Sequence, residues 1–161
     1  MLFYTEYHAA QIEFLIALGV TSQKNISDFS ITQNVSIGSY GNVEDYWYDK
    51  LQMALNSIND LSKEKDEDGI YNALTLLCNY WGIRSIFEMK CLDYLEKMDQ
   101  EKHKSTIDEI RDALFSHSVD VQDLDVIDCL LHNWLDEVKV KEAMLVCQRV
   151  IKKTFSSQFP K

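Results

Sequence analysis

The chain has 161 residues, of which 46% are hydrophobic and 26% are charged, and its formal net charge is −10. These proportions predict one globular domain spanning 1–161 rather than a disordered chain. No stretch reaches the roughly 18 apolar residues of a membrane-spanning helix. The first residues include Glu6 and Glu13 and lack the basic start of a signal peptide, so we expect a cytoplasmic protein with no membrane partner.

Residues that break regular structure are rare. The chain contains five glycines and one proline, Pro160, which is next to the last residue. A β-rich domain needs many Gly and Pro turns, whereas long helices joined by short polar loops do not. We therefore expect an all-α fold.

The first predicted helix covers 2–18, because apolar residues recur every three or four positions and Gly19 is a natural stop. The next stretch, 20–42, is rich in Ser, Thr, Asn and Gln. It predicts an irregular loop or a short hairpin, and long ordered loops are often functional. A second helix follows from Asn42, a suitable N-cap, to about Leu61. Six apolar residues make its predicted core stripe: Trp47, Leu51, Ala54, Leu55, Ile58 and Leu61.

The third predicted helix, from about Gly69 to as far as Met98, is apolar on most sides, which is typical of a central helix. Gly82 lies within it, where it permits either close approach of a neighbouring helix or a kink. A polar linker, 99–104, precedes a fourth helix capped by Ser105 or Thr106. The fifth begins near Asp120 to Asp123, and the sixth covers about 138–155. Six helices predict a bundle or an orthogonal array.

The start of the second helix is a candidate partner-binding surface. Two tyrosines there are flanked by carboxylates. Such a face suits docking onto a basic protein, since aromatic rings supply contact area and carboxylates steer and pair with Lys and Arg. An ordinary solvated helix face with half-buried tyrosines is the alternative. The candidate residues are Glu44, Asp45, Tyr46, Tyr48 and Asp49.

A second group of acids, which we call the acidic edge, consists of Asp120, Asp123, Asp125 and Asp128. Carboxylates in such number also suit Ca²⁺, but no glycine lies among them to form an ion-binding loop, so we predict no metal site. Asp120 and Asp123 suit the start of a helix.

The sequence has no glycine-rich nucleotide-binding loop, and we expect no cofactor. Four cysteines without a Cys-x-x-Cys pair are predicted to be free core thiols: Cys78, Cys91, Cys129 and Cys147.

One string of residues suggests catalysis. Arg111 and His117 are separated by five residues, and the polar Asp112 directly follows the arginine. This spacing resembles the motif of HEPN-domain ribonucleases. The resemblance implies an all-α, usually dimeric fold and metal-independent RNA cleavage, with Arg111 and His117 acting on the scissile phosphodiester and the attacking 2′-hydroxyl. The alternative is that Arg111 pairs with Asp108 or another nearby acid and that His117 ends a helix.

Charge decides between these functions. Between Asp108 and Glu137 there are nine acidic residues and one basic residue, a field that repels RNA. A small acidic helical domain without a cofactor motif is similar in kind to the bacterial immunity proteins that block toxic nucleases. We therefore expect a non-enzymatic inhibitor that binds a basic protein, such as a cognate toxin, and no nucleic acid. A HEPN-like ribonuclease, or an inactive relative of one, is the alternative.

Overall fold

Helices make up nearly all of the regular structure in the computed structural model, which describes residues 2–20, 36–61, 66–90, 100–131 and 136–156. This confirms the predicted all-α class. The six helices are α1 (Leu2–Ala17), α2 (Val43–Asn59), α3 (Glu67–Lys90), α4 (Gln100–Ser116), α5 (Val121–Leu131) and α6 (Glu137–Phe155). None of the described helices is both long and apolar enough to cross a membrane.

Helix α3 is central, as its apolar surface predicts, and it packs against α1, α2 and α6. It runs parallel to α1, because Tyr71 near its start contacts Phe3 and Phe87 near its end contacts Phe14, with ring centroids 5.0 and 5.1 Å apart. Gly82 is the point of closest approach: a Cβ atom there would lie 2.3 Å from the backbone oxygen of Tyr7. Glycine therefore permits the backbone of α1 to touch α3.

Helix α2 runs antiparallel to α3 on another side. Trp47 stacks on Phe87 with centroids 4.7 Å apart and donates its indole N–H to the carbonyl of Tyr80 at 3.0 Å. At the other end, Asn72 donates to Ser57 at 2.8 Å. Helix α4 packs on α2, and α5 and α6 pack on each other. One buried core includes side chains from all six helices.

The predicted ends of the helices are confirmed at several places. Gly19 follows α1 with a φ of +78°, a conformation that glycine adopts without strain. Asn42 caps α2 by accepting a hydrogen bond from the backbone N–H of Asp45 at 2.8 Å. Asp120 accepts from the N–H of Gln122 at 3.0 Å, at the start of α5.

Helix α4 begins earlier than predicted. The expected cap at Ser105 or Thr106 is wrong, because the helix starts at Gln100 and Thr106 is buried in its second turn. His103, predicted to lie in a polar linker, is buried against Trp47 with ring centroids 4.6 Å apart, and its Nδ1 lies 3.1 Å from the hydroxyl of Tyr80. Packing on aromatic rings far away in sequence extends this helix.

Two further predictions have a mixed outcome. Of the predicted loop or hairpin at 20–42, residues 21–35 lie outside the described part, and residues 37–40 form a tight turn in which the N–H of Tyr40 donates to Ile37 at 2.9 Å. Cys78 and Cys147 are free and buried as expected, but Cys129 is exposed, so the prediction of a core thiol is wrong there. The predicted extension of the third helix beyond Lys90, including Cys91, lies outside the described residues.

Candidate functional site

The start of α2 brings part of the predicted binding surface together with α1. Tyr46 is half-buried and stacks on Phe14 of α1, with ring centroids 5.8 Å apart, and the ring of Tyr40 meets it edge-on at 5.4 Å. The hydroxyl of Tyr40 donates to Asp49 at 2.7 Å, which raises the pKa of Tyr40. The Tyr46 ring is thus held in place by Phe14 and Tyr40, and little side-chain entropy remains to be lost when a partner binds.

Two acids lie close enough to Tyr46 to affect the pKa of its hydroxyl. Burial raises the pKa of Tyr46 most, and the negative charges of Glu13 and Asp49 raise it further. Asp45 is exposed at the same end of α2. We call these residues, with Tyr40, the acidic aromatic patch: Glu13, Tyr40, Asp45, Tyr46 and Asp49. Glu13 was not predictable as a member of this patch, because it lies on another helix and only tertiary packing places it near Tyr46.

Tyr48 and Glu44, the other two predicted residues of α2, connect α2 to α4. The hydroxyl of Tyr48 lies 2.9 Å from Oγ1 of Thr106, and the amino group of Lys102 lies 3.8 Å from the centre of its ring. A carboxylate oxygen of Glu44 lies 3.6 Å from Nε2 of the buried His103. Tyr48 and Glu44 therefore belong to the interface between α2 and α4.

The acidic edge faces basic residues of the same chain. Asp120 and Asp123 both contact Lys153 of α6, at 2.5 and 3.4 Å, and Asp123 also contacts Arg149 at 3.4 Å. The hydrogen bond from Lys153, with a second one from a backbone N–H, lowers the pKa of Asp120, and the same pair raises the pKa of Lys153. The basic last helix therefore partly neutralises the edge.

The other half of the acidic edge pairs with arginines. Asp125 accepts from Arg111 at 2.5 Å, and Asp128 lies 4.0 Å from Arg84. Arg111 also pairs with Asp108 at 3.6 Å, as the alternative interpretation of the Arg-x5-His string predicts. All four carboxylates of the edge thus have cationic neighbours within the chain, which reduces the net field that they present to solvent.

A cavity of about 520 Å³ lies between α3, α4 and α5, with Trp47 of α2 in its wall. Its apolar wall includes Trp47, Tyr80 and Trp81, and its polar wall includes Arg84 and Arg111. Because both guanidinium groups are already paired with carboxylates, an anionic ligand would have to displace those partners. The cavity is large enough for a small organic molecule, but its charges largely cancel.

Arg111 and His117 of the Arg-x5-His string differ in their position relative to this cavity. Arg111 lines the cavity, whereas His117 follows the last residue of α4 and is not among the described residues that line it. Asp112 is exposed on α4.

The described residues offer no candidate metal site. Within the described residues there is no group of three or more His, Cys, Asp or Glu side chains arranged to hold a metal ion.

Comparison with known proteins adds no relative from which a function could be transferred. No protein-family model, no curated protein and no solved structure matches this chain. Its function must therefore be inferred from its own surface and charges.

Proposed function

We propose that this protein is a non-enzymatic inhibitor that acts in the cytosol by binding a basic protein, such as a toxin nuclease, and covering its active site. The observation that carries the proposal is the acidic aromatic patch, where Glu13 and Asp49 act on the half-buried ring of Tyr46 and Asp45 is exposed at the same end of α2. Lys50 is the cation of the same helix beside this ring, with its amino group 5.3 Å from the ring centre. The net charge of −10 supports it, because an acidic surface attracts cationic proteins and repels nucleic acid.

The patch combines the two properties that a protein-binding surface needs. The ring of Tyr46 offers contact area at low entropic cost, because Phe14 and Tyr40 already hold it. The carboxylates steer a basic partner into place and pair with its Lys and Arg side chains. A nuclease active site binds phosphate with such cations, so a carboxylate of the inhibitor can occupy the position of a phosphate.

The acidic edge has a smaller part in this proposal than the sequence suggests. Its carboxylates contact Lys153, Arg149, Arg111 and Arg84, so they must exchange those partners to bind another protein. By contrast, Glu13 and Asp45 take part in none of the ion pairs among the described residues. The acidic aromatic patch is therefore the primary contact in our proposal.

The test is partner capture with matched charge-reversal variants. A tagged chain is used to recover its partner from the native host by cross-linking, and the affinity of the purified pair is then measured. Glu13→Lys combined with Asp45→Lys should weaken binding by about 100-fold or more, because like charges then face a basic surface.

The control is a second double variant that changes the net charge by the same amount outside the acidic aromatic patch. Glu109→Lys with Glu142→Lys alters two exposed acids on α4 and α6 that pair with no described residue. It should reduce only the rate of association. Equal loss of affinity in both double variants would show that net charge, and not the patch, determines binding. Recovery of no basic protein would contradict the proposed function itself.

A HEPN-like ribonuclease is the alternative proposal, and one observation favours it. Arg111 lines the cavity between α3, α4 and α5, where a guanidinium group could contact a phosphodiester once released from Asp125 and Asp108. Catalysis would further require that His117 reach the same phosphate.

A further inference from the structure

The outward face of α1 carries a stripe of exposed apolar side chains. Leu2, Ile12 and Ile16 are 52%, 58% and 61% exposed. Thr5 and Ala9 lie between them, so the five positions alternate in steps of three and four residues. This is the spacing of the contact seam of a helix that packs against another helix. We call these five residues the α1 stripe.

The stripe is separate from the protein core. The core face of α1 consists of Phe3, Tyr7, Ala10 and Phe14, which are all buried. At 100° per residue, the stripe lies on nearly the opposite side of the helix. Helix α1 is therefore apolar on two faces, and within the described part of the chain only one of them is buried. Exposed apolar side chains grouped in this way commonly mark a protein-binding surface.

The two flanks of the stripe differ in charge. One flank carries Glu6 and Glu13, neither of which forms an ion pair with a described residue. On the other flank, Tyr4 donates a hydrogen bond to Glu137 at the start of α6, and Nε2 of His8 lies 3.8 Å from the same carboxylate. Leu2–Ala17 contains no lysine or arginine. Among the described residues of α1, the charged side chains of the first flank are thus all acidic.

We propose that the α1 stripe docks an amphipathic helix of the partner protein, with apolar residues along its seam and Lys or Arg beside them. This inference rests on the proposed function and specifies the partner's contact element. Charge complementarity selects this occupant, because basic residues beside the seam would pair with Glu6 and Glu13. Glu13 also belongs to the acidic aromatic patch, so one partner can cover both surfaces.

A second copy of this chain fits less well. Since α1 has two glutamates and no Lys or Arg, two antiparallel copies would bring these glutamates together without a cation from either helix. The length of α1, 16 residues, corresponds to roughly 24 Å of seam, or a little over two heptads. A helix of two to three heptads from the partner is long enough to cover it.

The probe is a fluorescently labelled synthetic helix of about three heptads, with leucine at a and d and lysine at e and g. Its matched counterpart carries glutamate at e and g. Fluorescence anisotropy should show binding of the lysine peptide and not of the glutamate peptide. Ile12→Lys should weaken binding by about tenfold or more, because it places a cation in the apolar seam opposite a basic helix. Glu6→Gln with Glu13→Gln should weaken binding and reduce its dependence on salt.

Leu145→Lys is the control, because Leu145 on α6 is 63% exposed, similar to Ile12, and lies outside the stripe. It should leave peptide binding unchanged. Equal binding to wild type and Ile12→Lys would overturn the inference. So would sedimentation data in which the wild type is a dimer and Ile12→Lys a monomer, because a second copy would then cover the stripe.

The two proposals fail in different ways. If Ile12→Lys loses the peptide but the native host yields no basic partner, the docking surface is supported and only the proposed inhibitor function is contradicted. If a basic partner is recovered and Ile12→Lys binds it with undiminished affinity, the docking surface is overturned and the inhibitor function stands.

Discussion

Substitution of Gly82 by alanine tests whether the backbone contact between α1 and α3 determines the packing of this fold. A Cβ at this position would lie 2.3 Å from the backbone oxygen of Tyr7 and 3.3 Å from the Cβ of Ala10. Ordinary contacts between such atoms are about 3.5 Å or longer. No side-chain rotation can relieve the first clash, because both groups belong to the backbone or to Cβ. The two helices must therefore separate by about 1 Å.

Two opposing effects determine how much Gly82→Ala changes the free energy of unfolding. Overfilling a well-packed interior typically costs about 1–3 kcal/mol, and a clash with backbone belongs near the upper end. Alanine in place of glycine within a helix is itself favourable by about 1 kcal/mol. We therefore expect Gly82→Ala to lower the free energy of unfolding by about 2 kcal/mol.

Urea denaturation followed by circular dichroism measures this loss. The midpoint should fall while the slope with urea stays constant. Gly41→Ala is the control, because the nearest atom to a Cβ there is 3.9 Å away, and it should leave the midpoint nearly unchanged. If Gly82→Ala is as stable as the wild type or more so, helix propensity outweighs the clash, and the close approach of α1 to α3 is refuted.

The remaining predictions concern an ion pair and a catalytic motif. The lowered pKa of Asp120 and the raised pKa of Lys153 mean that their pairing stabilises the fold between pH values of about 4 and 10. Asp120→Asn should therefore reduce the denaturation midpoint at pH 7, and the difference from wild type should vanish as the pH falls below the ordinary value of the carboxyl, 3.8. A difference that persists at pH 2 would show that the charge of Asp120 is not the cause, since Asn keeps the oxygen that caps the helix. In a second experiment, we expect the purified chain to leave single-stranded RNA intact in EDTA, because Arg111 is already paired with Asp108 and Asp125. Cleavage that disappears in His117→Ala, with the fold unchanged by circular dichroism, would instead establish the ribonuclease alternative.

The helices themselves were predictable where local signals agree. The N-cap Asn42, the acids of the first turn and the apolar stripe through Trp47 all indicate α2, and the structure confirms it. The start of α4 was not predictable in the same way. Its first turn is polar in sequence, and the reason for its helical form is the packing of His103 on Trp47 and Tyr80, which are distant along the chain.

The candidate site was likewise predictable only where local signals in the sequence are sufficient. The tyrosines and carboxylates of α2 were visible as a pattern, but their roles were not, because Tyr46 packs on α1 while Tyr48 contacts α4. Glu13 joins Tyr46 only through tertiary packing. The α1 stripe had a local signal, since Leu2, Ile12 and Ile16 follow helical spacing, but periodicity alone does not distinguish a buried face from an exposed one when a helix is apolar on both.

By itself, the sequence determined the helical class, most helix positions and the excess of negative charge, because these depend on composition and on periodicity within short windows. Tertiary structure decided which charges remain available. Asp120 and Asp123 look like an exposed acidic surface in sequence, yet Lys153 and Arg149 of α6 lie against them. Glu6 and Glu13 look ordinary in sequence, yet they border an apolar face whose Leu2, Ile12 and Ile16 side chains are exposed. The physical reason is that electrostatic and hydrophobic interactions depend on distance in space, and folding brings distant parts of the chain together.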